Sequence, residues 1–164
     1  MNWKARLPVL AAALWWGSLG AIGFMAVPVL FANASSPAVA GNLAARLFRA
    51  ECWMGLACGV VVLMSARNEE GTPSMNWAGG AIGYVLGGML AALLQEFAIA
   101  PHIVARENLA FWHTAGTAMY GLQWICALVV LWKVTAWSPV IPAKAGIQGI
   151  REQGGSPGSP PARG

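Results

Sequence analysis

The sequence predicts an all-α fold: a four-helix transmembrane bundle, arranged as two helical hairpins and followed by a disordered C-terminal tail. Three observations predict it. Of 164 residues, 57% are hydrophobic and only 10% are charged, whereas a soluble domain carries about 25% charged residues. The apolar residues fall in long runs, not in the short alternating stretches of strands. Each run ends at proline, glycine or charge. There is too little polar surface to cover a water-soluble globule, so the natural solvent of residues 1–137 is lipid.

The first run, Leu7 to Ala32, is free of charge. Its 26 residues reach about 39 Å as a helix, enough to cross a ~30 Å hydrocarbon core with tilt. Lys4 and Arg6 flank its start, and Pro28 is expected to kink or end it. Ala32-Asn33-Ala34 fits a signal-peptidase site, but signal h-regions run only about 7–15 residues. A retained first span, 7–32, is therefore expected.

Ser36-Pro37 is a helix start, with serine as N-cap and proline in the first turn. The charge-free segment Cys52–Ala66 is too short to span alone. The second span, about 45–66, must then carry Arg46, Arg49 and Glu51 into or near the membrane interface. The third span is expected over 77–100, ended by Pro101, and the fourth over 107–132, closed by Lys133. Trp3, Trp77, Trp132 and Trp137 fall toward one set of helix ends and Trp53 and Trp112 toward the other, the pattern of an aromatic belt. Residues 138–164 are rich in Pro, Gly, Ser and Gln and read as a disordered tail.

Four spans put both termini on one side. That side collects Lys4, Arg6, Arg67 and Lys133, and the other Arg46, Arg49 and Arg106, which favours cytoplasmic termini. The net charge of +4 serves this orientation and anionic headgroups. The basic residues are scattered and form no phosphate-binding stripe, so nucleic acid is not an expected partner.

Gly79, Gly83 and Gly87 recur every four residues in the third span, and Gly55 and Gly59 in the second. Such small-residue strips let helices approach closely in lipid. Packing within the bundle is the expected use, and a homodimer face is the alternative. The halves also echo one another. Phe24-Met25-Ala26-Val27-Pro28 matches Phe97-Ala98-Ile99-Ala100-Pro101, and Asn42-Leu43-Ala44 matches Asn108-Leu109-Ala110. A duplicated hairpin would give a parallel repeat.

Ionisable groups inside a membrane are costly and point to function. Arg46, Arg49, Glu51, Glu96, His102, Arg106, Glu107 and His113 are all expected at one end of the bundle, away from the cytoplasm. Arg49 and Glu51 lie about 200° apart on a helix and cannot pair with each other. Glu96 and Glu107 are the expected partners of Arg46 and Arg49. If the helix continues past Pro101, His102, Arg106 and His113 share a face. This polar cluster is read either as an interhelical brace or as a site for a small solute or metal.

No resident cofactor is expected. His113 is the one weak candidate metal ligand, as an axial ligand of haem b. His102 and His113 stand about 16 Å apart along one helix and cannot share an ion. Cys52, Met54 and Cys58 are soft atoms suited to copper but occupy different faces. The three cysteines read as buried small apolar residues. No nucleophile–base pair, phosphate loop or paired catalytic carboxylates occur, which points away from an enzyme.

The segments LWWGSLGAIGFMAVPVLF, SPAVAGNLAARLF and EFAIAPHIVARENLAFWH resemble the transmembrane protein 205-like family, a bacterial four-helix membrane domain of unknown function. The resemblance covers residues 8–133 and implies the bacterial inner membrane. It implies no established reaction. A more distant likeness reaches copper-resistance D-type proteins and a haem-dependent oxidase of porphyrin synthesis, which use membrane histidines. Here His102 and His113 are the only histidines.

Overall fold

A computed structural model describes residues 3–65 and 80–136. The predicted tail, the connection around Arg67, and Trp77 and Gly79 lie outside the described residues. The fold is all-α, with four helical segments long and apolar enough to cross a membrane: Arg6–Asn33, Pro37–Ser65, Ile82–Val104 and Leu109–Ala136. We call them spans one to four. No strand occurs among the described residues.

Span one is α1 (Trp3–Ala21), a π-helical turn (Ile22–Ala26) and α2 (Val27–Asn33). Span two is the unbroken α3 (Pro37–Ser65), whose start is capped by Ser36 Oγ accepting the Val39 N–H at 3.3 Å. Span three is α4 (Ile82–Leu94), a second π turn (Gln95–Ile99) and α5 (Ala100–Val104). Span four is α6 (Leu109–Ala136). Each span packs on two neighbours in the order one, two, three, four and back to one, closing a square bundle.

The prolines do not end their helices. Pro28 and Pro101 lack the N–H that would bond four residues back, and their rings clash with that carbonyl. In each odd span the π turn just before the proline absorbs the misfit. The residue closing that turn, Val27 or Ala100, donates its N–H five residues back, to the Ile22 or Gln95 carbonyl. The helix then runs on to Asn33 or Val104, three residues beyond the stop expected at Pro101. Likewise α6 passes Lys133 and ends at Ala136. The Phe-x3-Pro echo is thus a structural one. The Asn-Leu-Ala echo is not: Asn42 lies inside α3, while Asn108 sits in a turn with φ 34°.

The core is built from Trp15, Leu19, Cys58, Val62, Val85, Ala127 and Val130, drawn from all four spans. Outward faces carry Leu10, Met25, Met64, Leu90, Phe97 and Ile125. Such surfaces suit a lipid solvent, since water would leave them unpaid for. Trp53 also faces outward, beside the midpoint of α3 and not toward a helix end as expected.

Small residues decide where helices meet. A Cβ on Gly55 would stand 2.8 Å from Trp15 Nε1, and one on Gly59 would stand 2.7 Å from Met89 Sδ. Both glycines admit a neighbouring side chain. The third-span strip behaves differently from expectation. Gly83 has nothing within 4 Å of its Cβ position, and Gly87 only Cys126 Sγ at 3.9 Å. The close approach is made by Gly88, whose Cβ would meet Trp15 Cη2 at 2.8 Å. Gly83 and Gly87 thus leave their side of the third span open within this chain, whereas Gly55 and Gly59, at the same four-residue spacing, meet neighbours inside the bundle.

Candidate functional site

Two polar sites emerge from the packing, one on the outer surface between spans two and three and one inside the bundle. On the outer surface, Arg49 on α3 meets Glu96 in the second π turn, with Nε 2.6 Å from Oε1. The π turn matters here, because it re-aims the side chains of residues 95–99 relative to a regular helix. The two partners differ in exposure: the Arg49 side chain is 68% exposed and the Glu96 side chain 10%. Glu96 is therefore held by the bundle, and Arg49 reaches over to it. Only Nε is engaged, so the two Nη groups remain free to donate. Beside the pair opens a groove of about 400 Å³ lined by Ala45, Arg49, Glu96, Ala100, Pro101, Val104 and Ala105. Its walls are apolar apart from the ion pair.

The other predicted rim residues divide. Arg46 is exposed on α3 and makes no ion pair among the described residues. Glu107 does not reach either arginine of α3. It pairs with His102, Oε2 to Nδ1 at 2.7 Å, and the His102 ring stacks on Trp112 at 4.1 Å between centroids and 5° between planes. His102, Arg106 and His113 do not share a helical face. The chain turns at residues 105–108, with Arg106 at φ 58° and Asn108 at φ 34°. His113 lies on the exposed side of α6. Among the described residues no three His, Cys, Asp or Glu side chains converge as metal ligands. Cys52 and Cys58 are both buried, and the Cys52 thiol points at the Ala92 carbonyl, 3.5 Å away.

Glu51 lies two residues on from Arg49, only about 3 Å further along the axis, but turns the other way, into the bundle. It is the central residue of the 29-residue α3, about 21 Å from either end of the helix. It is 2% exposed. Its Oε1 lies 2.9 Å from Ser18 Oγ on span one, which is also 3.0 Å from the Trp15 carbonyl. Its Oε2 is buried and unpartnered. Elsewhere in the bundle the buried side-chain atoms without partners are Trp15 Nε1, Trp16 Nε1, Gln95 Oε1, Gln123 Nε2 and Trp124 Nε1. Trp15 Nε1 and Gln123 Nε2 converge on Gly55, one helical turn from Glu51 on the same face of α3. Spans one, two and four thus contribute Trp15, Ser18, Glu51 and Gln123 to a polar centre inside an apolar bundle.

Sequence reasoning missed Trp15, Ser18, Gln123 and Gln95. A signal was present. Ala44, Glu51, Gly55, Cys58 and Val62 are spaced by three, four and seven residues, and all are buried in α3. That period marks Glu51 as inward-facing.

A closed bundle of four lipid-facing spans with buried polar groups defines a multi-pass membrane protein. Residues 10–111 match the family described as Domain of unknown function (DUF4149), and the chain belongs to that family. No curated protein and no solved structure matches it.

Proposed function

We propose that this chain is a transmembrane protein 205-like protein of the bacterial inner membrane that engages a small anionic, partly apolar solute at the groove between spans two and three. The sequence segments set out above support the family likeness. The distribution of basic residues supports cytoplasmic termini, which puts the groove on the far side.

One observation carries the ligand class: Arg49 spends a single N–H on Glu96 and keeps its Nη donors free at the mouth of an apolar groove. A guanidinium with free Nη groups is suited to a carboxylate or phosphate. The apolar walls Ala45, Ala100, Pro101 and Val104 suit a short hydrocarbon body. A metal cation is the poorer fit, because the exposed charge at the groove is positive.

Binding of radiolabelled octanoate to the protein in nanodiscs, against empty nanodiscs, tests the reading. Arg49→Ala should weaken binding about tenfold or more, the loss of a charge-assisted hydrogen bond. Wild-type affinity in that variant would refute it.

A further inference from the structure

The groove leaves Glu51 without a role. A carboxyl group at mid-span, 2% exposed and with no ion pair among the described residues, is costly to keep for packing alone. Any small apolar residue would fill that place. The groups around Glu51 bear on what it does.

The titratable and charged neighbours are few. Span four contributes Tyr120, whose hydroxyl donates to the Leu19 carbonyl of span one, and α3 itself contributes the buried Cys52 and Cys58. Span three contributes Glu96, which is already paired with Arg49 of α3. Span one presents only Ser18 and indoles among its described side chains. Among the described residues no cation pairs with Glu51 to fix it in its ionised form.

The hydrogen-bond geometry accommodates both protonation states. With a proton on Oε1, Glu51 can donate to Ser18 Oγ, and Ser18 can donate onward to the Trp15 carbonyl. Without the proton, the Ser18 hydroxyl can turn and donate to Oε1. The ionised carboxylate then needs further donors. Two stand unused and buried nearby, Trp15 Nε1 and Gln123 Nε2, both gathered at Gly55. Gly55 has no side chain to block them.

We propose that Glu51 is a proton-binding site at the centre of the bundle. It exchanges its proton with water admitted between the spans, giving carboxylate and hydronium. Ser18, Trp15 and Gln123 donate to the ionised form. The site is separate from the groove, and loss of octanoate binding would leave it standing.

The test is infrared difference spectroscopy on the full chain in nanodiscs, wild type minus Glu51→Gln, from mildly acid to mildly alkaline pH. The expected result is a carboxylic-acid band of Glu51 that gives way to a carboxylate band as pH rises. In the Trp15→Phe/Gln123→Leu variant the midpoint should move upward by about one pH unit or more, since the ionised form loses two donors. Should Glu51→Gln fail to fold, Glu51→Asp, whose carboxyl band is displaced, makes the assignment instead. A Glu51 band that keeps one protonation state over the whole range would overturn the proposal. An unmoved midpoint in the double variant would overturn the role of the two donors.

Discussion

Ser18 Oγ on span one lies 2.9 Å from Glu51 Oε1 at the midpoint of span two, and this contact ties the first hairpin together in its interior. Its energetic weight comes less from the bond than from what its loss would strand. Ser18→Ala leaves a buried carboxyl with neither oxygen partnered and should cost about 1–2 kcal/mol. Removing both partners, as in Ser18→Ala/Glu51→Leu, should cost less than Ser18→Ala alone, because no polar group is then abandoned. Unfolding in mixed micelles measures both, and a costlier double variant contradicts the account.

Gly88 and Gly83 lie on one helix but in opposite environments. A Cβ at Gly88 meets the Trp15 ring at 2.8 and 2.9 Å and Cys126 Cβ at 3.2 Å, while at Gly83 it meets nothing. Trp15 is fully buried and cannot retreat. Gly88→Ala should destabilise by about 1–3 kcal/mol through overpacking. Gly83→Ala should be neutral or stabilise by about 0.5–1 kcal/mol through helix propensity. Thermal unfolding of the two variants side by side decides the matter, and equal effects would show that the inward face is misassigned.

The first π turn is pinned from span four. Tyr120 Oη donates to the Leu19 carbonyl at 2.7 Å, and its ring edge occupies the place of a Cβ on Gly23, 2.6 Å away. Tyr120→Phe should cost about 0.5–1.5 kcal/mol. Gly23→Ala should displace the ring and break the same bond, so adding Tyr120→Phe to it should cost little more. Full additivity in this double-mutant cycle would separate the two contacts.

Arg106 holds φ 58° between spans three and four. A left-handed conformation costs a non-glycine residue roughly 1–2 kcal/mol. Arg106→Gly should therefore raise the unfolding midpoint, and Arg106→Val should lower it below wild type. A fall for the glycine variant would mean that the arginine side chain holds the turn.

Arg49 is 68% exposed where it meets Glu96, so their pair should contribute no more than about 1 kcal/mol to stability. Arg49→Glu and Glu96→Arg should each leave like charges together and lower the unfolding midpoint. The swapped double variant should recover stability without recovering octanoate binding, since the cation then sits on the other wall. Recovery of both would mean that the groove reads charge without regard to position.

Four apolar rods in lipid were legible in the sequence because hydropathy is a property of each segment alone. A run of uncharged residues long enough for the bilayer is helical wherever it inserts, since only a helix satisfies its backbone there. That Arg49 must look to another helix was also legible, because 200° on one helix forbids it the nearer Glu51, but the choice of Glu96 over Glu107 was not. What the segment could not state is which face turns inward and how each proline is absorbed. Those depend on the partner helix. Gly88 rather than Gly83 received Trp15, a π turn let span three pass Pro101, and Glu51 turned into the bundle while Arg49, two residues before it, stayed outside. Burial is decided by what lies across the interface, so the polar centre formed by Trp15, Ser18, Glu51 and Gln123 exists only once spans one, two and four are packed together.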